Sequence, residues 1–204
     1  MKRLFMLASA MALASCISLL PKPPPAPATF VMSAGEVARL DGAPVHGVVG
    51  VAEPTGERSV LGVLLAWRTG DELADVAQTQ WSTRAEEALQ AMLVETMSRQ
   101  GRFQAAAREG ETASAYEIRW EVTEFDVQQN DMRAHFHADV KLVSGATRQV
   151  IAQQLVDASA PVSARSASLA AQALTQAARQ GAVQIGVFAA NAALAQELAP
   201  APAH

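Results

Sequence analysis

The stretch that decides the fold is YEIRWEV at residues 116–122, which is followed after a turn by MRAHFHADVKL at residues 132–142. Apolar and polar residues alternate strictly in both segments, as in strands with one face on a core and the other in water. Asn-Asp at 130–131 supplies the turn, and a third run at 149–158 follows a Gly-Ala-Thr turn. Three successive strands of this kind predict an antiparallel meander with one apolar face.

The segments before the meander predict short strands and one helix. Apolar runs at 29–32, 47–52, 61–67 and 103–107 are flanked by Gly, Pro or charged residues and indicate strands. Between them the period changes to that of a helix over 82–99, whose apolar face carries Trp81, Ala85, Ala88, Leu89, Met92 and Thr96. Thr83 and Glu86 have capping-box spacing at its start, and Gly101 is predicted to end the helix.

A long Ala-rich helix is predicted over 166–194. One seam of this helix is rich in small residues, which lets it approach a sheet closely: Ala170, Leu174, Ala177, Ala178, Gly181, Ile185, Phe188 and Ala192. The predicted fold class is therefore α/β. It is a single domain with a mixed, largely antiparallel β-sheet packed with two principal α-helices.

The back of the final helix carries a second apolar stripe formed by Val183, Val187 and Leu194. A helix that covers a sheet needs only one apolar face. We expect this stripe to meet a partner subunit or another copy of the protein, which would make a homo-oligomer. The alternative is that Phe30 and the other N-terminal segments cover it.

The composition is that of a globular domain. Of 204 residues, 50% are hydrophobic and 18% charged, which is too apolar a load for a disordered chain. Sixteen basic and 20 acidic residues give a net charge of −4, and there is no basic run, so no nucleic-acid partner is expected. A single Cys excludes a disulfide scaffold.

The N-terminus predicts a lipoprotein signal peptide over residues 1–15. Lys2 and Arg3 precede an apolar stretch that is too short for a membrane-spanning helix. The stretch ends in a bacterial lipobox, formed by Leu13, Ala14, Ser15 and Cys16. Cys16 would carry diacylglyceryl and N-acyl (palmitate) groups, and we expect no other cofactor. The alternative is an ordinary cleaved signal with a buried Cys.

The lipidated Cys would begin a Pro-rich linker over residues 16–28, with five prolines between 21 and 27. These prolines enforce an extended polyproline II spacer. The predicted folded domain spans 29–195, and a flexible tail follows at 196–204. Ile17 stands where Asp would signal inner-membrane retention, so we expect a periplasm-facing anchor in the outer membrane rather than the inner membrane.

Catalytic motifs are weak in this sequence. His135, His137 and Asp139 point the same way from one strand and could contribute metal ligands, but the simpler interpretation is the solvated face of a strand. Glu121 and Glu124 could form a carboxylate pair for acid–base catalysis, but in one strand their side chains would face opposite ways unless a bulge intervenes. The chain has no Gly-x-Ser-x-Gly elbow and no phosphate-binding Gly loop. We therefore expect no catalytic residues, no metal site and no enzyme activity; a metal-dependent periplasmic enzyme would need the two histidines and Asp139 to bind metal.

The ordered set of features resembles the auxiliary lipoproteins of ABC-type intermembrane transport systems, the family of paraquat-inducible protein C. The matching features are the lipobox, the Pro-rich spacer, the short strand near 30–32, the apolar segment ending near Trp67, the helix opened by Trp81, Gly-Arg-Phe at 101–103, YEIRWEVTEF at 116–125, two further strands and an Ala-rich closing helix.

The resemblance implies a non-catalytic accessory or docking component of a lipid transport system. Such systems contain an ATPase, a permease and a mammalian-cell-entry domain protein that bridges the periplasm, and the lipoprotein would dock this bridge at the outer membrane. It would meet the permease and the ATPase only indirectly. Only Cys16 takes a role from the resemblance. The alternative function is an envelope-structural or outer-membrane assembly lipoprotein without cargo.

Overall fold

The structure is a computed structural model and describes residues 26–199. The strands are β1 (Ala28–Phe30), β2 (Val45–Val51), β3 (Ala66–Thr69), β4 (Glu72–Asp75), β5 (Thr79–Trp81), β6 (Phe103–Arg108), β7 (Tyr116–Gln128), β8 (Arg133–Ser144) and β9 (Val150–Pro161). The helices are α1 (Ala85–Gln100) and α2 (Ala167–Leu198). The signal peptide, Cys16, most of the linker and the last five residues of the tail lie outside the described residues.

The predicted meander is confirmed, since β7 pairs with β8 and β8 with β9, both antiparallel. Ile118 lies opposite Leu142, and Phe125 lies opposite Phe136, so apolar side chains of neighbouring strands share the core face. The register shifts between Val122 and Glu124, which leaves one extra residue in β7. Such a bulge re-aims the side chains that follow it.

The other edge of β7 pairs with two different strands. β2 lies parallel to its first residues and β3 parallel to its last, and β6 and β4 extend the sheet beyond them. β1 and β5 form a separate parallel pair. The fold class is confirmed as one α/β domain with a mixed sheet and two helices.

Close packing of α2 on the sheet depends on a glycine. α2 lies against β8 and β9, and a Cβ built at Gly181 would collide with the Phe136 ring. A Cβ at Gly186 would likewise collide with Gln100 at the end of α1. The buried Gln100 side chain donates from Nε2 to the carbonyl oxygen of Val183 at 3.1 Å, which joins the two helices.

The strand predicted over 61–67 is wrong for most of its length. Only Ala66 and Trp67 belong to a strand, while Leu61 and Leu65 are buried in irregular backbone. The carbonyl of Leu65 accepts from the N–H of Val76, outside any strand of the main sheet. An apolar run without alternation does not distinguish a strand from a buried loop.

The helix ends were predicted with mixed success. α1 begins at Ala85, because Trp81 is instead the last residue of β5, and its N-cap is Arg84 without a side-chain cap. The capping box of Thr83 and Glu86 is therefore wrong. Gly101 does end α1, with a φ of 67° that favours glycine. The start of α2 is also confirmed, since its N-cap Ser166 accepts a hydrogen bond from the N–H of Leu169.

Candidate functional site

The second apolar stripe of α2 is divided by the structure. Val183 remains 37% exposed and Val187 is half-buried, and both line a groove of about 370 Å³ between α2 and β9. Gln154 of β9 forms part of the opposite wall. Leu194 does not line this groove, because it packs partly buried against the core.

Phe30 lies at a different place on α2. It lines a depression of about 540 Å³ that also includes Leu169 and Arg179. Arg179 holds the segment after β1 by donating from Nε to the carbonyl oxygen of Ser33 at 2.7 Å. Phe30 is therefore not among the residues that line the groove of Val183.

The groove borders the free edge of a long strand. Within the described part of the chain β9 pairs only with β8, so its outer edge is unpaired. Gln184 of α2 reaches over this edge and donates from Nε2 to the carbonyl oxygen of Asp157 at 3.1 Å. Leu155, on the other face of β9, is 78% exposed. An apolar groove beside an unpaired strand edge is suited to contact another polypeptide.

The C-terminal end of α2 is fastened to the sheet by Glu197. Its Oε1 accepts from the backbone N–H of His46 at 2.8 Å and from the Tyr116 hydroxyl at 3.2 Å, and Oε2 lies 3.0 Å from His46 Nδ1. The side-chain hydrogen bond with His46 is the main cause that lowers the pKa of Glu197 below its ordinary value. Burial, followed by the charge of Glu197, raises the pKa of Tyr116. These contacts hold the helix in place along the groove.

The polar face of the meander brings together two histidines and one glutamate. His135 and His137 lie on β8, and the bulge in β7 places Glu124 opposite His137. One ligand atom from each of these three side chains lies within 4.8 Å of the other two. Asp139 does not belong to this group; its carboxylate accepts from Gln153 Nε2 at 2.8 Å.

The bulge also determines whether Glu121 and Glu124 lie on the same face of β7. Glu121 lies opposite Asp139, and Glu124 lies opposite His137. Asp139 and His137 are two residues apart on β8, so they share one face of the sheet. The bulge therefore puts both glutamates on the polar face, which the strict alternation of β7 would not do. The only signal in the sequence for the position of the bulge is the break in the apolar alternation between Val122 and Phe125.

A buried ion pair lies beside the histidines. Asp126 is 1% exposed, and its Oδ2 accepts from Arg68 Nε at 2.9 Å and from its Nη2 at 2.7 Å. The hydrogen bond to Asp126 is the main cause that raises the pKa of the Arg68 guanidinium. This pair joins β3 to β7, and the sequence did not predict it, because its two residues are 58 positions apart.

Solved structures share this fold. Protein XCC0632 from Xanthomonas campestris is 20% identical with a TM-score of 0.76, over 84% of this chain and 99% of that one. The hypothetical protein CT253 from Chlamydia trachomatis is 10% identical with a TM-score of 0.52, over 74% of this chain and 99% of that one. No curated protein matches the sequence. None of the helices in the described residues has the length and apolarity to span a membrane.

The family of the chain is given by its sequence. The family model of the ABC-type transport auxiliary lipoprotein component matches residues 34–186, from the segment after β1 into α2. This range includes the whole meander, Trp81 and the helix that follows it, which were among the features of the predicted resemblance. Because the match covers well over half of the chain, the protein belongs to the family of ABC-type transport auxiliary lipoprotein components.

Proposed function

We propose that this protein is a lipid-anchored docking subunit of an ABC-type lipid transport system. It would hold the far end of a periplasm-spanning mammalian-cell-entry domain protein at the outer membrane. The family membership supports an auxiliary, non-enzymatic role in transport at the cell envelope. The observation that carries the docking role is the apolar groove of Val183 and Val187 beside the unpaired edge of β9.

The anchor in this proposal is Cys16. Acyl chains contribute about 0.8 kcal/mol per buried methylene, so a Cys that carries three chains stays in the bilayer. Polyproline II rises about 3.1 Å per residue, so residues 17–27, which precede β1, would let the domain lie as far as about 34 Å from the membrane surface. The domain would then face a partner that arrives from the periplasm.

The occupant that we propose for the groove is the bridging protein. The groove combines apolar side chains with polar groups at its walls. Asn191 and the side-chain oxygen of Gln184, whose Nε2 already donates to Asp157, can hydrogen-bond a partner's backbone. The unpaired edge of β9 can accept an additional strand, which is one of the recurring ways in which a sheet recognises a peptide.

The test is crosslinking of the full-length lipoprotein in the intact envelope of a Gram-negative host that carries the transport system, with partners identified by mass spectrometry. We expect a mammalian-cell-entry protein to be recovered, and Cys16→Ala to reduce its recovery. Val183→Lys should also reduce it. Val63→Lys is the matched control, because Val63 is a valine of similar exposure (42%) that does not line the groove.

Three outcomes would contradict the proposal. Recovery of outer-membrane assembly or cell-wall proteins instead would favour the envelope-structural function. Crosslinks only between copies of this chain would make the groove a self-association surface. Equal loss of the bridging protein with Val183→Lys and Val63→Lys would remove the groove as the docking surface.

A further inference from the structure

We propose that the polar face of the meander binds a divalent transition-metal ion of the zinc class through Glu124, His135 and His137. The three residues come from two adjacent strands, and the ion would bridge them. This inference rests on the geometry of the polar face and does not depend on the docking function.

Strand geometry supplies the ligand arrangement. His135 and His137 are two residues apart on β8, so their side chains leave the same face, and their ring centres are 5.8 Å apart. Glu124 joins them because the extra residue in β7 turns it onto that face, opposite His137. Glu124 Oε2 then lies 3.2 Å from His137 Nδ1.

The distances fit a metal after small side-chain rotations. Zinc binds imidazole nitrogen and carboxylate oxygen at about 2.0–2.2 Å, so the ligand atoms of a tetrahedral site are roughly 3.4 Å apart. The three ligand atoms here lie within 4.8 Å of one another, and two of the side chains are already at 3.2 Å. Two imidazoles and one carboxylate without a thiolate suit Zn²⁺, Ni²⁺ or Cu²⁺.

Two buried polar atoms of the cluster lack hydrogen-bond partners, and one of them, Glu124 Oε2, is the carboxylate oxygen that lies beside His137 Nδ1. Glu124 Oε2 and His137 Nε2 are shielded from solvent and have no hydrogen-bond partner among the described residues. Their nearest opposite groups are within 3.2 Å but not in hydrogen-bond geometry. A buried polar atom without a partner costs free energy, and a bound cation would satisfy the carboxylate directly.

A carboxylate lies beside the far ring nitrogen of each histidine, in hydrogen-bond geometry at His135 but not at His137. Asp131 Oδ2 lies 3.0 Å from His135 Nε2, and Asp157 Oδ2 lies 3.2 Å from His137 Nε2. A carboxylate only accepts, so a hydrogen bond to Asp131 requires His135 Nε2 to carry the proton and leaves a lone pair on Nδ1. A carboxylate on the far nitrogen of a histidine is the usual support of a metal ligand.

The cations of this face have other partners. Arg68 is paired with Asp126, and the Arg133 guanidinium donates to Ser159 Oγ at 2.8 Å. Lys141 lies 4.0 Å from Asp139. The carboxylates around the two histidines are therefore not neutralised by these three side chains. Three protein ligands leave the remaining position of a tetrahedral ion to water or to a partner's side chain.

The experiment is calorimetric titration of ZnCl₂ into the full-length lipoprotein, purified in detergent without a histidine tag and freed of metal by chelation. We expect one ion per chain with a micromolar or lower Kd, and a higher midpoint of thermal unfolding in the presence of zinc. Glu124→Gln and His137→Gln should each weaken binding by about tenfold or more. Cobalt bound in place of zinc gives a visible absorption spectrum that reports the number and type of its ligands independently.

Two controls make the result specific. His46→Gln removes a histidine outside the cluster, and Asp139→Asn removes a carboxylate on the same strand that the structure assigns to Gln153. Both should bind zinc within about twofold of the unmodified protein. The unfolding curve of each variant without metal reports whether it is folded. If His137→Gln does not fold, Glu124→Gln decides the result, since it keeps the shape of the side chain.

The proposal is overturned if the unmodified protein binds zinc only at millimolar concentration. It is also overturned if folded Glu124→Gln binds as tightly as the unmodified protein, or if His46→Gln lowers affinity as much as Glu124→Gln. In each of these cases the polar face is a solvated, ion-paired surface.

Discussion

The contact between α2 and the sheet can be tested by adding one methyl group, in Gly181→Ala. In an isolated helix this change would stabilise by about 1 kcal/mol, because alanine has the higher helix propensity. In this protein the new Cβ would overlap Cδ1 and Cε1 of Phe136. That ring is buried and is held between the rings of Trp120 and Phe125, with centroids 6.4 and 6.3 Å away.

The ring has no free direction in which to move, so the cost belongs at the upper end of the range for overpacking, about 3 kcal/mol. Subtracting the gain in propensity leaves Gly181→Ala destabilised by about 2 kcal/mol. For a domain of this size that corresponds to a lowering of Tm by about 4–8 °C.

The assay is denaturant and thermal unfolding of a soluble form that lacks the signal peptide and carries Cys16→Ser. Gln180→Ala, on the exposed face of the same turn, is the control and should change stability by less than about 0.5 kcal/mol. The double variant Gly181→Ala with Phe136→Leu should be more stable than the sum of the two single effects by about 1 kcal/mol or more. A stabilised Gly181→Ala, or strict additivity in the double variant, would refute this account of how α2 packs.

Two further predictions concern polar contacts. Arg68→Ala should destabilise the protein by about 2–3 kcal/mol, because it leaves the Asp126 carboxylate buried without its charged partner; denaturant unfolding measures this. Glu197 has a lowered pKa in the folded state, so its contribution to stability is complete above its ordinary pKa of 4.5 and is lost as the pH falls through the lowered value. In Glu197→Gln, the free energy of unfolding should therefore decrease less steeply as the pH falls below 4.5. The same change should lower the raised pKa of Tyr116, the only tyrosine, in an absorbance titration.

The first of these predictions has a matched control, and the second has a clear contradicting outcome. Glu95→Gln breaks an exposed pair with Arg99, and such pairs are worth at most about 1 kcal/mol, so it should cost much less than Arg68→Ala. If the two variants lose the same free energy of unfolding, the burial of Asp126 does not determine the cost of Arg68→Ala. An unchanged pH slope in Glu197→Gln would mean that the cluster with His46 does not contribute to acid stability.

The meander was predictable because its signal is local. In β8, in β7 up to the bulge after Val122 and in the second half of β9, residues that face the core alternate with residues that do not, so the period is visible in single strands before any pairing is known. The start of α2 was also predictable, since Ser166 caps it through its own side chain. Local chemistry decided both features.

The region between β2 and α1 was not predictable in the same way. Trp81 continues the helical period of the residues that follow it, yet its backbone belongs to β5, which pairs with β1 about fifty residues earlier. Leu61 and Leu65 are buried in irregular backbone because other segments supply their neighbours. Contacts between distant segments decided these assignments against the local pattern.

The two candidate sites were likewise predictable only in part from the sequence. The sequence placed the two histidines on one face of a strand, with Asp139 as their neighbour, and it predicted an apolar stripe on α2 that included Leu194. Glu124 takes the place of Asp139 through a bulge whose position depends on cross-strand register. Leu194 lies against the core because the sheet extends under that end of the helix.

By itself, the amino-acid sequence determined the fold class, the meander, the long closing helix and the family, since each of these follows from local periodicity or from an ordered set of motifs. Only the tertiary structure decided which side chains meet on the polar face and which part of α2 remains exposed. The physical reason is that strand register and helix–sheet contact are set by packing between residues far apart in the chain, and a one-residue shift moves a side chain to the opposite face.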